Sequence, residues 1–272
     1  MRLVVHPGFH KTGTSSVQAQ LEAARERLAP RWAVGLRADL LDAPAAARAY
    51  SEGRSPVELG LFQAALADWF ESPAVAQAQG AVISCEDLCG HMPGRPGIAD
   101  YSAAAALLGA LAKVAKAVFG PRLDLRFHLS TRGSEDWLQS LHWQLARTGT
   151  LGETGARFRK RMAPHADLAA MARRLADAVA PWPLDTLPLE EAAALAQGPV
   201  TPLLDLMGLG TDERMAFSPQ ERRNARPPLH NVAQLADRFA AINAQVPDKA
   251  QATARKQAAL RRFRAQAAKD EA

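Results

Sequence analysis

A short segment near the amino terminus, Gly8 to Ser16, combines two glycines, one lysine and four hydroxyl side chains. Glycine permits turns that aim successive backbone N–H groups inward, and a helix that begins there adds a partial positive charge. Lys11 adds a point charge for a phosphate oxygen. The pattern predicts a phosphate-binding loop, and its candidate residues are Lys11, Thr12, Gly13, Thr14, Ser15 and Ser16.

The same loop departs from the Walker A pattern of nucleoside triphosphate-binding proteins. That pattern requires a glycine directly before the lysine, whereas His10 precedes Lys11 and Gly13 follows it. The departure weakens the prediction of an ordinary kinase. A plain glycine-containing turn with a surface lysine is the other interpretation of the segment.

Short apolar runs alternate with longer helical stretches along the chain. The predicted strands are Leu3–His6, Ala81–Ser84 and Leu125–Ser130, with a weaker one at Leu184–Leu189. Apolar side chains recur at helical spacing after the first and third of these runs, in Ser15–Leu28 and in the segment that begins at Ser134. Strands separated by long helices predict an α/β fold, with a parallel β-sheet flanked by helices.

Ligands of parallel sheets bind at the carboxyl ends of the strands, and three candidate groups are predicted to lie there. They are the loop, Glu86 after the second apolar run and Arg132 after the third. The guanidinium group of Arg132 presents a fork that suits phosphate. An ion pair with Glu135 or Asp136 is the alternative for Arg132.

The loop resembles the 5′-phosphosulfate loop of the sulfotransferase family, in particular the Gly-x-His-Lys-Thr-Gly-Thr form of bacterial members. The second signature of that family is an arginine at a strand end with a serine eight residues later, and Arg132 and Ser140 match it. Gly133 departs from the pattern, since many members carry proline at or shortly after this position. The late run Arg222–Pro227 is similar in place to a basic loop that covers the nucleotide, and it supplies two candidates, Arg223 and Asn224.

The resemblance implies a P-loop nucleoside triphosphate hydrolase-like fold of the sulfotransferase type. It also implies an enzyme that transfers a sulfuryl group from 3′-phosphoadenosine 5′-phosphosulfate (PAPS) to a hydroxyl acceptor, such as a carbohydrate. The loop would hold the 5′-phosphosulfate, and Arg132 and Ser140 the 3′-phosphate. Lys11 would stabilise charge on the bridging oxygen, and no metal is required.

Transfer to a hydroxyl needs a base, and the candidates are Glu86 and His10. Some sulfotransferases that modify carbohydrates or proteins are similar in using a glutamate. Against these roles, Glu86 also suits a helix cap or a structural ion pair, and His10 suits a loop histidine bonded to backbone. The sequence leaves the choice open.

Two other functions fit the same residues. A small-molecule kinase would use Glu86 or Asp87 to hold magnesium. A nucleotide-binding module would keep the donor site without a working base.

The composition is that of a folded globular protein, with 272 residues of which 48% are hydrophobic and 22% charged. We expect a single domain over residues 1–272. A basic helical insertion at about 147–175 and a helical carboxyl-terminal tail at about 229–272 are predicted within it.

The net charge of +5 favours an anionic ligand. Aromatic residues are not interleaved with the basic clusters, so we expect no nucleic-acid partner. Those clusters, Arg157–Arg161 and Arg255–Arg264, are predicted to be solvated helix faces. The longest apolar run, Ala103–Phe119, carries Lys113 and Lys116, so we expect no membrane span, and the early polar residues favour a cytoplasmic protein.

Overall fold

The structure is a computed structural model, and it describes residues 1–217 and 232–270. These residues form two compact units. The first unit contains Met1–Met92, Tyr101–Arg132 and the described residues from Asp167 to Phe217. The second unit contains Pro93–Asp100, Gly133–Ala166 and the described residues from Val232 onward. The second unit therefore includes most of the basic insertion and of the carboxyl-terminal tail that the sequence indicated.

The first unit is built on a five-stranded, all-parallel sheet, which confirms the predicted α/β fold. Its strands are β1 (Arg2–His6), β2 (Trp32–Leu36), β3 (Gly80–Ser84), β4 (Asp124–Thr131) and β5 (Leu184–Pro188). Their order across the sheet is β2-β3-β1-β4-β5. The first strand is thus central. From it the chain passes to the edge strand β2, returns to β3 beside β1, and then continues on the other side of β1 with β4 and β5. The residues that follow β1 lie where the strand order reverses, which is where open α/β sheets bind ligands.

Thirteen α-helices accompany these strands in the described residues. In chain order they are α1 (Thr14–Leu28), α2 (Ala43–Gly53), α3 (Pro56–Phe70), α4 (Pro73–Ala76), α5 (Ala104–Phe119), α6 (Ser134–Thr148), α7 (Gly155–Met162), α8 (Leu168–Val179), α9 (Leu189–Ala192), α10 (Thr201–Met207), α11 (Thr211–Arg214), α12 (Val232–Gln245) and α13 (Lys249–Asp270). Helices α6, α7, α12 and α13 belong to the second unit, and the others belong to the first.

Helix α1 is held against one face of the sheet by an apolar stripe. Val17 and Leu21 lie one helical turn apart and pack in one buried cluster with Val4 of β1 and Val82 of β3. Helix α10 adds Leu203 and further apolar side chains to the same cluster. Because parallel sheets are covered on both faces, their strands are buried nearly throughout, and β1 follows this rule. The packing fixes the start of α1 above the carboxyl end of β1.

The strand β2 was not among the sequence predictions, although the other four strands were. Its sequence, Trp-Ala-Val-Gly-Leu, contains a glycine, which is depleted in strands. The structure gives that glycine a packing reason. A Cβ on Gly35 would lie 2.5 Å from the indole ring of Trp69, so only glycine fits beneath that side chain.

One helical stretch among the described residues, Ala104–Arg122, is long and apolar enough to cross a membrane by length and composition, with a mean hydropathy of 1.4. Core helices of soluble proteins pass the same test. Within the first unit this stretch buries Leu107, Leu108 and Leu111.

The second unit is helical in its described residues. Helix α6 packs against α12, and α12 packs against α13. Trp143 of α6 and Phe239 of α12 meet with their ring centroids 5.6 Å apart in a second buried cluster, which Ala259 of α13 also joins.

Candidate active site

Three residues of the loop between β1 and α1 adopt the left-handed backbone conformation. Gly8, Lys11 and Gly13 have φ angles of 62°, 71° and 93°. A Cβ on Gly8 would lie 2.6 Å from the Thr14 hydroxyl oxygen, and one on Gly13 would lie 2.6 Å from the Leu189 side chain. Both positions therefore require glycine. Lys11 adopts the same conformation with a side chain, which adds about 1–2 kcal/mol of strain and marks it as a constrained position.

The hydroxyl of Thr12 donates a hydrogen bond to the carbonyl of Phe9, with an O···O distance of 2.6 Å. This bond closes the loop on itself. The sequence assigned Thr12 to ligand binding, and in the structure its hydroxyl proton holds the loop together.

The start of α1 carries no side-chain cap and no acidic residue in its first turn. The carbonyl of Gly13 accepts from the N–H groups of Ser16 and Val17, at 2.9 and 3.4 Å. Thr14 is 4% exposed, and its hydroxyl has no hydrogen-bond partner in the part of the chain that the structure describes. A buried hydroxyl without a partner is destabilising. Together with the positive helix end, it suits an anion with acceptor oxygens.

At His10, the loop is held to the rest of the first unit by hydrogen bonds. The hydroxyl of Tyr101 accepts from the backbone N–H of His10 at 2.7 Å and lies 3.1 Å from its Nδ1. On the far side of the ring, Nε2 is 3.6 Å from the carboxylate of Asp87. The imidazole therefore lies between a tyrosine and an aspartate.

Asp87 is 3% exposed and is surrounded by basic groups. Arg48 donates to its Oδ2 at 2.6 Å, and a guanidinium nitrogen of Arg37 lies 3.2 Å from the same oxygen. Burial by itself would raise the pKa of this carboxyl. The hydrogen bond from His10 and the charges of Arg48, His10 and Arg37 outweigh burial, so the pKa lies below its ordinary value and Asp87 is a carboxylate.

Tyr101 is 2% exposed, and burial is the largest cause that raises the pKa of its phenol well above the ordinary value. The phenol therefore keeps its proton. Its hydroxyl oxygen accepts from the His10 backbone N–H and lies beside Nδ1 of the same histidine, while Asp87 lies beside Nε2. Both ring nitrogens of His10 therefore face protein groups.

Glu86 follows β3 in a short 3-10 turn, Glu86–Cys89, and is half-buried. Its Oε2 accepts from the amide of Gln18 at 2.7 Å, and the same amide donates to the backbone carbonyl of Ser84 at 3.1 Å. Gln18 lies in the second turn of α1, so it orients the glutamate relative to the loop. A carboxylate has several acceptor positions, and one bond from an amide leaves others for a substrate proton.

Arg132 follows the last residue of β4 and contacts the loop directly. Its guanidinium group donates to the backbone carbonyl of Lys11 at 3.1 Å, and its Nε lies 3.9 Å from the carboxylate of Glu190. The structure therefore brings Arg132 and the loop together at the carboxyl edge of the sheet. Within the first unit, the acidic residue beside Arg132 is Glu190.

The remaining candidates lie apart from this group. Ser140 lies on α6 in the second unit and is 5% exposed, so its pairing with Arg132 stays a prediction. Arg223 and Asn224 lie outside the described residues. Ser15 is exposed and Ser16 is half-buried, both in the first turn of α1.

A row of polar side chains lies on the sheet face that α1 covers. His6 pairs in register with Ser84 of β3, and its Nδ1 is 2.9 Å from the Ser84 hydroxyl. His128 of β4 lies beside His6, with ring centroids 5.8 Å apart. Nε2 of His6 and both ring nitrogens of His128 have no hydrogen-bond partner among residues 1–217 and 232–270. Burial, with a smaller contribution from the neighbouring histidine, lowers the pKa of His6 to about 3, and burial lowers that of His128 to about 4.

A hollow of about 450 Å³ lies at the start of α6 in the second unit. Its lining includes Glu135 and Asp136, with Gly133, Ser134 and Gln139. The negative charges of two carboxylates at this position would repel a phosphate group. The hollow is therefore a poorer anion site than the loop of the first unit.

Sequence reasoning missed three residues that shape the site. Tyr101 and Arg48 lie 91 and 39 positions from their partners His10 and Asp87, in segments without a motif. Gln18 was assigned only to a predicted helix. The only sequence signal for a role of Gln18 in the site was its polar side chain in the second turn of α1, one turn from the loop.

No group of three or more His, Cys, Asp or Glu side chains that could hold a metal ion occurs in the described part of the chain. Comparisons with protein-family models, with curated proteins and with solved structures found no match to this chain.

Proposed function

We propose that the chain binds an adenosine nucleotide through the loop after β1 and transfers a sulfuryl group from PAPS to a hydroxyl acceptor, such as a carbohydrate. One observation carries the proposal. The uncapped start of α1 adjoins a left-handed glycine loop and a buried Thr14 hydroxyl that lacks a partner in the described protein. The resemblance of the loop to that of sulfotransferases supports the choice of donor.

Lys11 and the loop amides would hold the 5′-phosphosulfate. As the sulfur–oxygen bond to the bridging oxygen breaks, that oxygen gains negative charge, which Lys11 and the start of α1 would stabilise. Charge that develops during bond breaking is stabilised more strongly in the transition state than in the bound donor. Lys11 would therefore act mainly on turnover.

Glu86 is the better candidate for the base. It would take the proton of the acceptor hydroxyl while the hydroxyl oxygen forms its bond to sulfur. Both nitrogens of His10 face protein groups, Tyr101 at 3.1 Å and Asp87 at 3.6 Å. We therefore assign His10 to holding the loop rather than to proton transfer.

Arg132 would hold the 3′-phosphate, together with Ser140 and the Arg223 and Asn224 segment predicted from the sequence. Its contact with the Lys11 carbonyl supports a position beside the nucleotide. A kinase is less well supported, because Asp87, one of its two candidate magnesium ligands, already contacts two arginines and His10.

Calorimetric titration tests the donor. The protein should bind 3′,5′-adenosine bisphosphate more tightly than 5′-AMP or magnesium ATP. Arg132→Ala should weaken bisphosphate binding by roughly 1.5–3 kcal/mol and leave 5′-AMP binding nearly unchanged, since it removes hydrogen bonds to a charged group. Arg126→Ala is the matched control, because Arg126 lies on β4, the strand that Arg132 follows, and pairs with Asp124 at 3.0 Å. Equal affinity for bisphosphate and 5′-AMP would overturn the donor assignment.

Single-turnover transfer at saturating donor tests the base, once an acceptor is found by screening sugars, phenols and alcohols. Glu86→Gln should keep donor binding and slow transfer by roughly 10²–10⁴-fold. Glu22→Gln, an exposed carboxylate on α1 that pairs with Arg25, is the control. Normal transfer by Glu86→Gln would exclude Glu86 as the base.

A further inference from the structure

Helix α13 carries a dense positive charge that the site in the first unit does not use. From Lys249 to Gln266 it has six basic residues and no acidic one. A helix of 22 residues is about 33 Å long, and these basic residues are spread along it. The sequence predicted only a solvated helix face for this segment.

The packing of α13 fixes which side of the helix faces solvent. Ala252 and Ala259 are buried, and Ala259 belongs to the apolar cluster that contains Trp143 and Phe239. Lys256 is also buried, and its ammonium group donates to the carbonyls of Ala146 and Gly149, at 3.3 and 3.2 Å. The helix therefore cannot rotate freely, and its outer face is a defined surface.

That outer face presents four arginines, which are Arg255, Arg261, Arg262 and Arg264. None of them forms an ion pair with any residue that the structure describes. The first unit differs, because its Arg2, Arg25 and Arg214 each pair with a carboxylate at 2.6 to 2.8 Å. Like charges close together on one helix repel each other, and a bound polyanion would relieve this repulsion.

The chemistry of the face narrows the choice of polyanion. Leu260 and Phe263, the large apolar side chains of α13, are partly buried and pack against the cluster that contains Trp143 and Phe239. The outer face therefore offers little apolar surface for a bilayer and little aromatic surface for bases. Arginine forks bind carboxylate and phosphate groups through paired hydrogen bonds. A linear, hydrophilic polyanion without bases fits these features.

We infer that the outer face of α13, defined by Arg255, Arg261, Arg262 and Arg264, binds an anionic polysaccharide. The binding surface rests on the charge, exposure and packing of α13, and it goes beyond the proposed function of the first unit.

The experiment measures binding of the full chain to fluorescently labelled polygalacturonate fragments by anisotropy, with neutral dextran, duplex DNA and phosphatidylserine vesicles as comparison ligands. The expected result is salt-dependent binding to polygalacturonate that exceeds binding to the other three at the same ionic strength. Arg261→Gln combined with Arg262→Gln should weaken it by roughly tenfold or more. Arg157→Gln combined with Lys160→Gln, which removes the same charge from α7, should weaken it by less than about threefold.

Equal losses in the two double variants, tighter binding of DNA or vesicles, or no binding to polygalacturonate would overturn the inference. Thermal melting checks that both double variants remain folded. Titration of both variants with 3′,5′-adenosine bisphosphate separates the two proposals. Loss of polysaccharide binding with normal bisphosphate binding supports the α13 surface, and polysaccharide binding by a protein that does not bind the bisphosphate would overturn only the proposed function.

Discussion

The two sides of the loop after β1 differ in how their polar groups are satisfied. On the His10 side, the backbone N–H and the imidazole face Tyr101 and Asp87, and Asp87 in turn pairs with Arg48. On the Thr14 side, the helix start is uncapped and the buried hydroxyl has no partner among the described residues. The two sides lie within one short loop.

This difference separates a part of the loop that is fixed from a part that is suited to a ligand. Unsatisfied buried polar groups are destabilising, so a fold keeps few of them. The network on the His10 side holds the loop in place. Under the proposed function, the groups on the Thr14 side would meet the nucleotide in a fixed geometry, which would reduce the entropy lost on binding.

The largest expected effect comes from breaking the fixed side. Asp87→Ala removes the buried carboxylate that pairs with Arg48 and Arg37 and lies beside His10, so all three groups lose this partner at once. We expect the free energy of unfolding to fall by about 3 kcal/mol, measured by urea denaturation at neutral pH. Asp68→Ala on the exposed face of α3 is the control and should change it by less than about 0.5 kcal/mol. A similar small change for Asp87→Ala would mean that the network does not hold the loop.

Local sequence patterns were sufficient to predict four of the five strands and the helices that begin at the loop and at Ser134. Apolar periodicity and turn residues act over a few positions, and the structure confirms these elements. The loop and Arg132 were predicted as neighbours because both follow strands of one parallel sheet. Their contact, at 3.1 Å, agrees with that reasoning.

The network on the His10 side could not be predicted in this way. It joins a loop residue to Tyr101 and joins Asp87 to Arg48, and neither pair is close in sequence. The partner of a polar side chain depends on how distant segments pack, which one sequence does not encode locally. The two compact units have no local signature either, because their segments alternate along the chain.

The next expected effect is the pH dependence of stability that His6 and His128, the buried histidines on the sheet face covered by α1, would produce. Their pKa values of about 3 for His6 and about 4 for His128 lie below 6.5, the value for histidine in an unfolded chain. Between pH 6.5 and about 4 the unfolded chain therefore binds more protons than the folded one, so stability falls as the pH falls. The slope approaches about 1.4 kcal/mol per pH unit for each histidine.

Urea denaturation at steps between pH 7 and pH 4.5 measures this slope. The carboxyl of Asp87 has a lowered pKa, so its stabilising contribution is present above its unfolded value of 3.8 and is lost at lower pH than this range. His128→Leu should remove about half of the slope, since both of its ring nitrogens lack partners among the described residues. An unchanged slope in this variant would contradict the assignment of a buried, neutral His128.

The smallest expected effect is the most specific, because the same substitution at two threonines of the loop should change stability in opposite directions. Thr14→Val replaces a buried hydroxyl without a partner in the described protein by a methyl group, and should raise the free energy of unfolding by about 1 kcal/mol. Thr12→Val removes the hydrogen bond to the Phe9 carbonyl, and should lower it by about 1 kcal/mol. Thr14→Val should also weaken binding of 3′,5′-adenosine bisphosphate by roughly tenfold, because the ligand loses a hydrogen bond to its charged group. If both variants lost the same stability, the Thr14 hydroxyl would have a protein partner, and the loop would not have one side reserved for a ligand.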